Sequence, residues 1–345
     1  MRLAGFGVTA RFALLAVVWG ASFLFIKVGL GGLSPAQVAL ARVAFGALAL
    51  GFVLAVRRRP LPRDPVLWGH LVVVSVLLCV VPFLLFSWAE QYISSGLASI
   101  FNATTPLITM LLAAAALPEE RFTPPKVAGL LLGFLGVLTI VGVWHGVDVS
   151  HQLTAQLACL GATTCYGACF VYMRRFVSPR GTDPVVVAFG QTAAATVILG
   201  LLAPVIATTP VHLDLAVVAS MVALGVFGTG LAYVWNVRII AAWGAANASA
   251  VTYLTPVVGV LLGVLVLGEP VSWNQPAGAL LVVLGILAAH GRLKPAAPPN
   301  RNSSAARHAG GAAAVATAPP RIGTTGTDRC SWRCRSPAPS PGSCR

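Results

Sequence analysis

Residues 98–119 read ASIFNATTPLITMLLAAAALPE, and residues 248–269 read ASAVTYLTPVVGVLLGVLVLGE. A constant offset of 150 brings Ala98-Ser99 onto Ala248-Ser249, Thr105-Pro106 onto Thr255-Pro256, Leu111-Leu112 onto Leu261-Leu262, and Leu117 and Glu119 onto Leu267 and Glu269. One residue is then lost in the loop. At an offset of 149, Thr123 matches Ser272, Gly129 matches Gly278 and Gly136 matches Gly285. Upstream, Trp19-Gly20-Ala21-Ser22-Phe23 with Lys27 aligns with Tyr166-Gly167-Ala168-Cys169-Phe170 with Arg174, and Pro35 with Pro184. The chain therefore carries an internal repeat.

Composition says where such a repeat lives. Of 345 residues, 57% are hydrophobic and 9% charged, against roughly 25% charged in a soluble domain. A bilayer crossing needs about 20 apolar residues, and ten stretches qualify: 11–30, 36–56, 66–89, 92–117, 124–144, 152–173, 184–205, 214–236, 243–267 and 274–291. Arg2 and Arg11 precede the first as they would in a signal peptide, but its recurrence in the second half makes it a span. Each half has five spans. Five is odd, so the second half enters the membrane from the opposite side. The fold class expected is an all-α membrane protein of ten transmembrane helices in two inverted five-helix repeats, 11–144 and 152–291. Inverted repeats are a device of secondary transporters, because two similar halves can exchange conformations.

Lysine and arginine set the orientation. Alternate loops hold Arg2 and Arg11; Arg57, Arg58, Arg59 and Arg63; Arg121 and Lys126; Arg174, Arg175 and Arg180; Arg238; Arg292 and Lys294. The opposite loops hold none. Both termini are thus expected in the cytoplasm, and the net charge of +14 reads as this asymmetry rather than as a nucleic-acid surface, since no basic groove with interleaved aromatics occurs. Residues 292–345, rich in Ala, Pro, Ser, Gly and Arg, read as a disordered cytoplasmic tail. The seven cysteines form no CxxC pair, so neither a zinc site nor a redox motif is supported, and their odd number argues against a disulfide framework.

Taken together, the halves resemble a pair of EamA-type domains of the drug/metabolite transporter superfamily. The resemblance rests on Trp19-Gly20-Ala21-Ser22-Phe23 with Lys27, on Arg42, on Ala98-Ser99 leading to Pro106 and Leu117-Pro118-Glu119, on Gly228-Thr229-Gly230-Leu231-Ala232-Tyr233, and on Thr255-Pro256 and Leu267-Gly268-Glu269-Pro270. It covers about residues 11–291. It implies ten helices around a central cavity, alternating access and a small organic solute, with export of a metabolite, amino acid or drug from a bacterial cytoplasmic (inner) membrane. It implies no particular substrate, and neither coupling ion nor oligomeric state follows from the residues. The partners expected are a small molecule and the lipid bilayer; no cofactor, metal or nucleic acid is expected.

Polar groups in lipid are costly and usually face a cavity or a partner. Arg42 and Lys27, near the outer ends of the second and first spans, could attract an anionic group, snorkel to headgroups or pair with Glu90. Glu119 and Glu269, repeat equivalents in loops, could be gate contacts or could favour the N-termini of the helices that follow them. Pro106 and Pro256 should kink their spans, with Asn102, Thr104, Thr105, Thr252 and Thr255 at the same depth. There, freed carbonyls could line a site, or the hydroxyls could satisfy their own helix. Trp19, Trp88, Tyr166, Tyr233 and Trp235 could pack on a solute or in an interfacial belt. Gln191 stands where the first half has Arg42, and Asn236 is a further polar candidate. Gly225, Gly228 and Gly230 suit close helix contact.

No HExxH, GxSxG or Walker sequence occurs, and no paired acid and base share one depth, so an intramembrane enzyme is disfavoured. A channel-like facilitator pore would need a continuous polar stripe, and none is present.

Overall fold

The computed structural model describes residues 2–116, 123–141, 151–243 and 251–289. Among these residues every regular element is helical. Helices α1 (Arg2–Gly29) and α2 (Pro35–Val56) come first. Helix α3 (Pro65–Ser75) passes through a π-helical turn, Val76–Val80, into α4 (Val81–Ala89). Helices α5 (Ser95–Asn102), α6 (Thr105–Ala116) and α7 (Pro124–Val141) follow. The second half repeats this order. Helix α8 (His151–Tyr172) ends in a π-helical turn, Met173–Val177. After α9 (Pro184–Ile206), α10 (Leu215–Val222) runs through a longer π-helical stretch, Ala223–Leu231, into α11 (Ala232–Trp243). Helices α12 (Val251–Leu267) and α13 (Asn274–Ala289) close the series. The tail expected from 292 onward lies outside the described residues.

Local chemistry sets the helix starts. Ser34, Asp64 and Asp183 each cap a helix whose first residue is a proline. Such a proline gives up a backbone N–H that has no partner in the first turn. Ser34 and Gln37 form a reciprocal capping box. Asp214 accepts from the Val217 amide, 2.7 Å away, at the start of α10.

Against the ten spans expected, eight described helices are long and apolar enough to cross a bilayer. The last two apolar helices, Leu254–Leu267 and Asn274–Ala288, are shorter. Large apolar side chains such as Leu131, Phe134, Leu201, Val205 and Leu265 stand more than half exposed, as suits a surface that meets lipid.

Packing pairs the halves helix by helix. Helix α1 lies on α12, and its repeat counterpart α8 lies on α5 and α6. Helix α2 lies on the Ala223–Leu231 stretch, and its counterpart α9 lies on α3. Helix α2 also packs on α9. The most extensive contact joins α7 to α13. A methyl on Gly136 would lie 2.8 Å from the Gly278 carbonyl oxygen, and one on Gly285 would lie 2.6 Å from the Gly129 carbonyl. Asn274 Nδ2 donates to the Ile140 carbonyl at 2.9 Å. As residue number rises along α7 it falls along α13, so these repeat-equivalent helices run antiparallel with their backbones in contact.

Candidate functional site

The π-helical stretch in the second half brings the site together. Gly225 and Gly230 let it approach α2 closely: a methyl on Gly225 would lie 2.9 Å from the Arg42 carbonyl oxygen, and one on Gly230 2.8 Å from Ala49 Cβ. A π turn shifts the side chains that follow it and recurs at functional positions. Here it sets Thr229 against Arg42, whose Nε donates to Thr229 Oγ1 at 3.2 Å. The guanidinium carbon also sits 3.8 Å from the centroid of the Phe83 ring, a cation–π contact. Among the described residues no carboxylate reaches Arg42 within ion-pair distance.

Arg42 lines a cavity of about 210 Å³. Eight of the residues singled out from the sequence meet there: Trp19, Arg42, Asn102, Thr105, Tyr166, Tyr233, Asn236 and Thr255. They come from α1, α2, α5, α6, α8, α11 and α12, so both halves build the wall. Trp19 and Tyr166 are repeat partners, and both line it. Tyr166 stacks on Phe86 at 6.1 Å between centroids, and Phe86 meets Phe23 edge-on at 5.6 Å. The remaining lining is mostly apolar, and among the described residues Arg42 is the one charged side chain in it. The chemistry offered is a cation in an aromatic cage, with amides and hydroxyls alongside.

The α5–α6 break explains two of these positions. Thr104 Oγ1 donates to the Phe101 carbonyl at 2.7 Å, and Thr105 Oγ1 to the Asn102 carbonyl at 2.8 Å. The hydroxyls therefore satisfy carbonyls at the end of α5, while Asn102 and Thr105 also line the cavity. Pro106 sits just inside α6 and does not line it. Its counterpart Pro256 is buried inside α12, which continues through it without a break, and it too lies off the cavity. The side chain of Thr252 lies outside the described residues.

Several expectations are corrected. Gln191 does not take Arg42's place at the cavity: it is 2% exposed, inside α9, with its amide oxygen unpartnered. Neither Trp88 nor Trp235 lines the cavity; Trp88 packs on Tyr92 at 5.1 Å between centroids. Lys27 does not pair with the Glu90 carboxylate. Its ammonium donates to the main-chain carbonyls of Glu90 and, at 2.9 Å, of Ile93, because the end of α4 presents unsatisfied carbonyls there. The Glu90 carboxyl is wholly buried with neither oxygen hydrogen-bonded.

Glu269 does not serve the helix that follows it. Its carboxylate crosses to the other half and accepts from Ser95 N at 2.8 Å, Ser95 Oγ at 2.9 Å and Gly96 N at 3.1 Å. It thus meets the positive end of α5. Gly263 makes room for it, since a methyl there would collide with the carboxylate. Glu119 lies outside the described residues. Ser22, Phe23, Ile26, Leu78, Phe83, Phe86, Phe170, Gly228 and Thr229 complete the described lining and were not singled out as site residues. Ser22-Phe23 and Gly228-Thr229 belong to the motif runs, which was the available signal. Phe83 and Phe86 carried none beyond hydrophobicity.

A family model, the EamA-like transporter family, matches residues 9–142 and again residues 153–289. A protein of Archaeoglobus fulgidus named as an uncharacterized transporter is 27% identical over 79% of this chain and 95% of its own length. A probable terminal-alkyne amino-acid exporter of Streptantibioticus cattleyicolor is 28% identical over 84% of this chain and 96% of its own. A probable amino-acid metabolite efflux pump of Salmonella typhimurium is 26% identical over 79% and 91%. A crystal structure 21% identical shares the fold, with a TM-score of 0.58 over 82% of this chain and 96% of that one. With two matches that between them span nearly all the described helices, the chain belongs to the EamA-like transporter family.

Proposed function

We propose that this protein is a secondary transporter that exports a small amphipathic carboxylate, such as an amino acid or a derivative of one, across a bacterial cytoplasmic membrane. The observation that carries the reading is Arg42, the single charge among the described residues of a mostly apolar cavity whose walls come from both halves. A guanidinium recognises a carboxylate by charge-assisted hydrogen bonds. Trp19, Tyr166 and the phenylalanines accept an apolar body, and Asn102, Asn236, Thr105 and Thr255 can meet further polar groups. The printed names of the Streptantibioticus and Salmonella relatives support the amino-acid class and the outward direction.

Transport is by alternating access of two inverted five-helix repeats, residues 11–144 and 152–291. The exchanged packing partners, the antiparallel course of α7 and α13 and the doubled family match support this arrangement. The Lys27, Glu90 and Glu269 end faces outward, since the arginine-rich loops lie at the other end. An impermeant thiol reagent applied to intact cells should then label cysteines placed in the 206–213 loop and spare those in 57–63; the reverse pattern would invert the orientation.

The reading is tested by overproducing the protein in a bacterium and comparing extracellular metabolites with those from cells making Arg42→Ala. A carboxylate enriched outside with the intact protein alone is expected. Equal enrichment with both proteins would remove Arg42 from the site.

A further inference from the structure

The Lys27 end holds a buried acid that the cavity chemistry does not use. Two charged side chains pin the turn around it. Lys27 binds the carbonyls of Glu90 and Ile93, at the end of α4. Glu269 binds the amides of Ser95 and Gly96, at the start of α5. Beneath this clamp the Glu90 carboxyl is 0% exposed, and neither of its oxygens has a hydrogen-bond partner.

The geometry points to Glu90 as a proton-binding site that links closure of the Lys27 end to uptake of one proton. A carboxylate with neither water nor a donor is among the costliest groups to bury, so the sealed arrangement suits the neutral acid. The charged and titratable groups facing it are Lys27 from α1, Arg42 from α2, Cys159 from α8 and Glu269 from the loop before α13. Lys27 and Arg42 favour the ionised form; burial and the Glu269 charge oppose it. Lys27 directs its donors to main-chain carbonyls, which leaves the carboxyl oxygens unsolvated and decides for the neutral form. Opening the clamp admits water, and the proton leaves the carboxyl oxygen for bulk solvent. The closed arrangement then holds one more proton than the open one.

The sign follows. Acid favours the closed end and alkali the open end, by about tenfold per pH unit across the titration, the slope set by one proton. This inference rests on the end opening and closing and does not depend on which solute is carried, so its failure leaves the Arg42 reading intact.

The test is hydrogen–deuterium exchange of the 90–97 segment in the full chain reconstituted in liposomes, over a pH series corrected for intrinsic exchange rates. Wild-type protection should fall by about tenfold per pH unit through the titration. Glu90→Gln should stay protected throughout, and Glu269→Gln should lose protection at every pH. Should Glu90→Gln fail to fold, Glu90→Met, apolar and of similar size, carries the same expectation. Wild-type protection independent of pH would overturn the proposal. So would a wild-type slope retained in the Glu90 variant.

Discussion

The second helix of each half shows how one scaffold serves two purposes. Helices α2 and α9 start alike, each with an N-cap followed by proline, and they pack on each other. Yet Arg42 lines the cavity, whereas Gln191, its repeat counterpart, is buried away from it. The fourth element differs as well: the first half breaks between α5 and α6 beside Pro106, and α12 continues through Pro256. Duplication supplies the packing, and departures from it supply the chemistry. A strictly symmetric cavity would present the same charge from both halves. Among the described residues this one presents a single cation, which on the proposed reading gives a solute one orientation.

The largest expected effect lies where the halves agree most. Gly136→Leu drives a side chain into the backbone of α13, whose Gly278 oxygen and Val282 nitrogen lie within 2.8 Å of a methyl there. It should cost about 3 kcal/mol, the upper range for overpacking, or prevent folding, seen as lost monodisperse protein or a lower melting temperature. Gly200→Ala, with open space around it, should be neutral or stabilising by up to about 1 kcal/mol. Equal damage from both would show that α7 and α13 do not hold the halves together.

Next comes the asymmetry itself. Arg42→Gln puts the second half's residue into the first. Loss of a charged hydrogen bond is worth roughly 1.5–3 kcal/mol, so the apparent affinity for a carboxylate solute should fall about tenfold or more in a proteoliposome transport assay. Gln191→Ala should leave that affinity unchanged. A smaller effect is expected at the prolines. Pro106→Ala and Pro256→Ala should each change stability by no more than about 1 kcal/mol. Transport should change more for Pro106→Ala, because Asn102 and Thr105 beside it line the cavity. The smallest effect is expected from truncation after Lys294, which should leave transport rates intact in protein expressed at wild-type level.

Much of the helix layout was legible in the sequence, because apolar length and proline after Ser or Asp mark helix starts directly. Trp19 and Tyr166 were legible as a pair through their repeat relation, and both line the cavity. Gln191 shows the limit of that signal: equivalence along the chain does not carry over to equivalence at the cavity. Glu269 was legible as a helix-capping acid but not in its partner, which lies 174 residues away. Thr229 and Phe83 could not be placed, because a π-helical stretch shifts the periodicity by which a face is read. The Lys27 contact went unforeseen because main-chain carbonyls at a helix end leave no mark in the side-chain sequence.

On the proposed reading, one cation gives the cavity its selectivity. Thermal stabilisation of the purified protein by three probes tests it most directly: L-phenylalanine, 3-phenylpropionate and phenethylamine. These keep the ring and vary the charged groups. Both carboxylates should raise the melting temperature and the amine should not, with the effect lost in Arg42→Gln and kept in Gln191→Ala. Stabilisation by the amine equal to that by the carboxylates, or an undiminished carboxylate effect in Arg42→Gln, would contradict the claim.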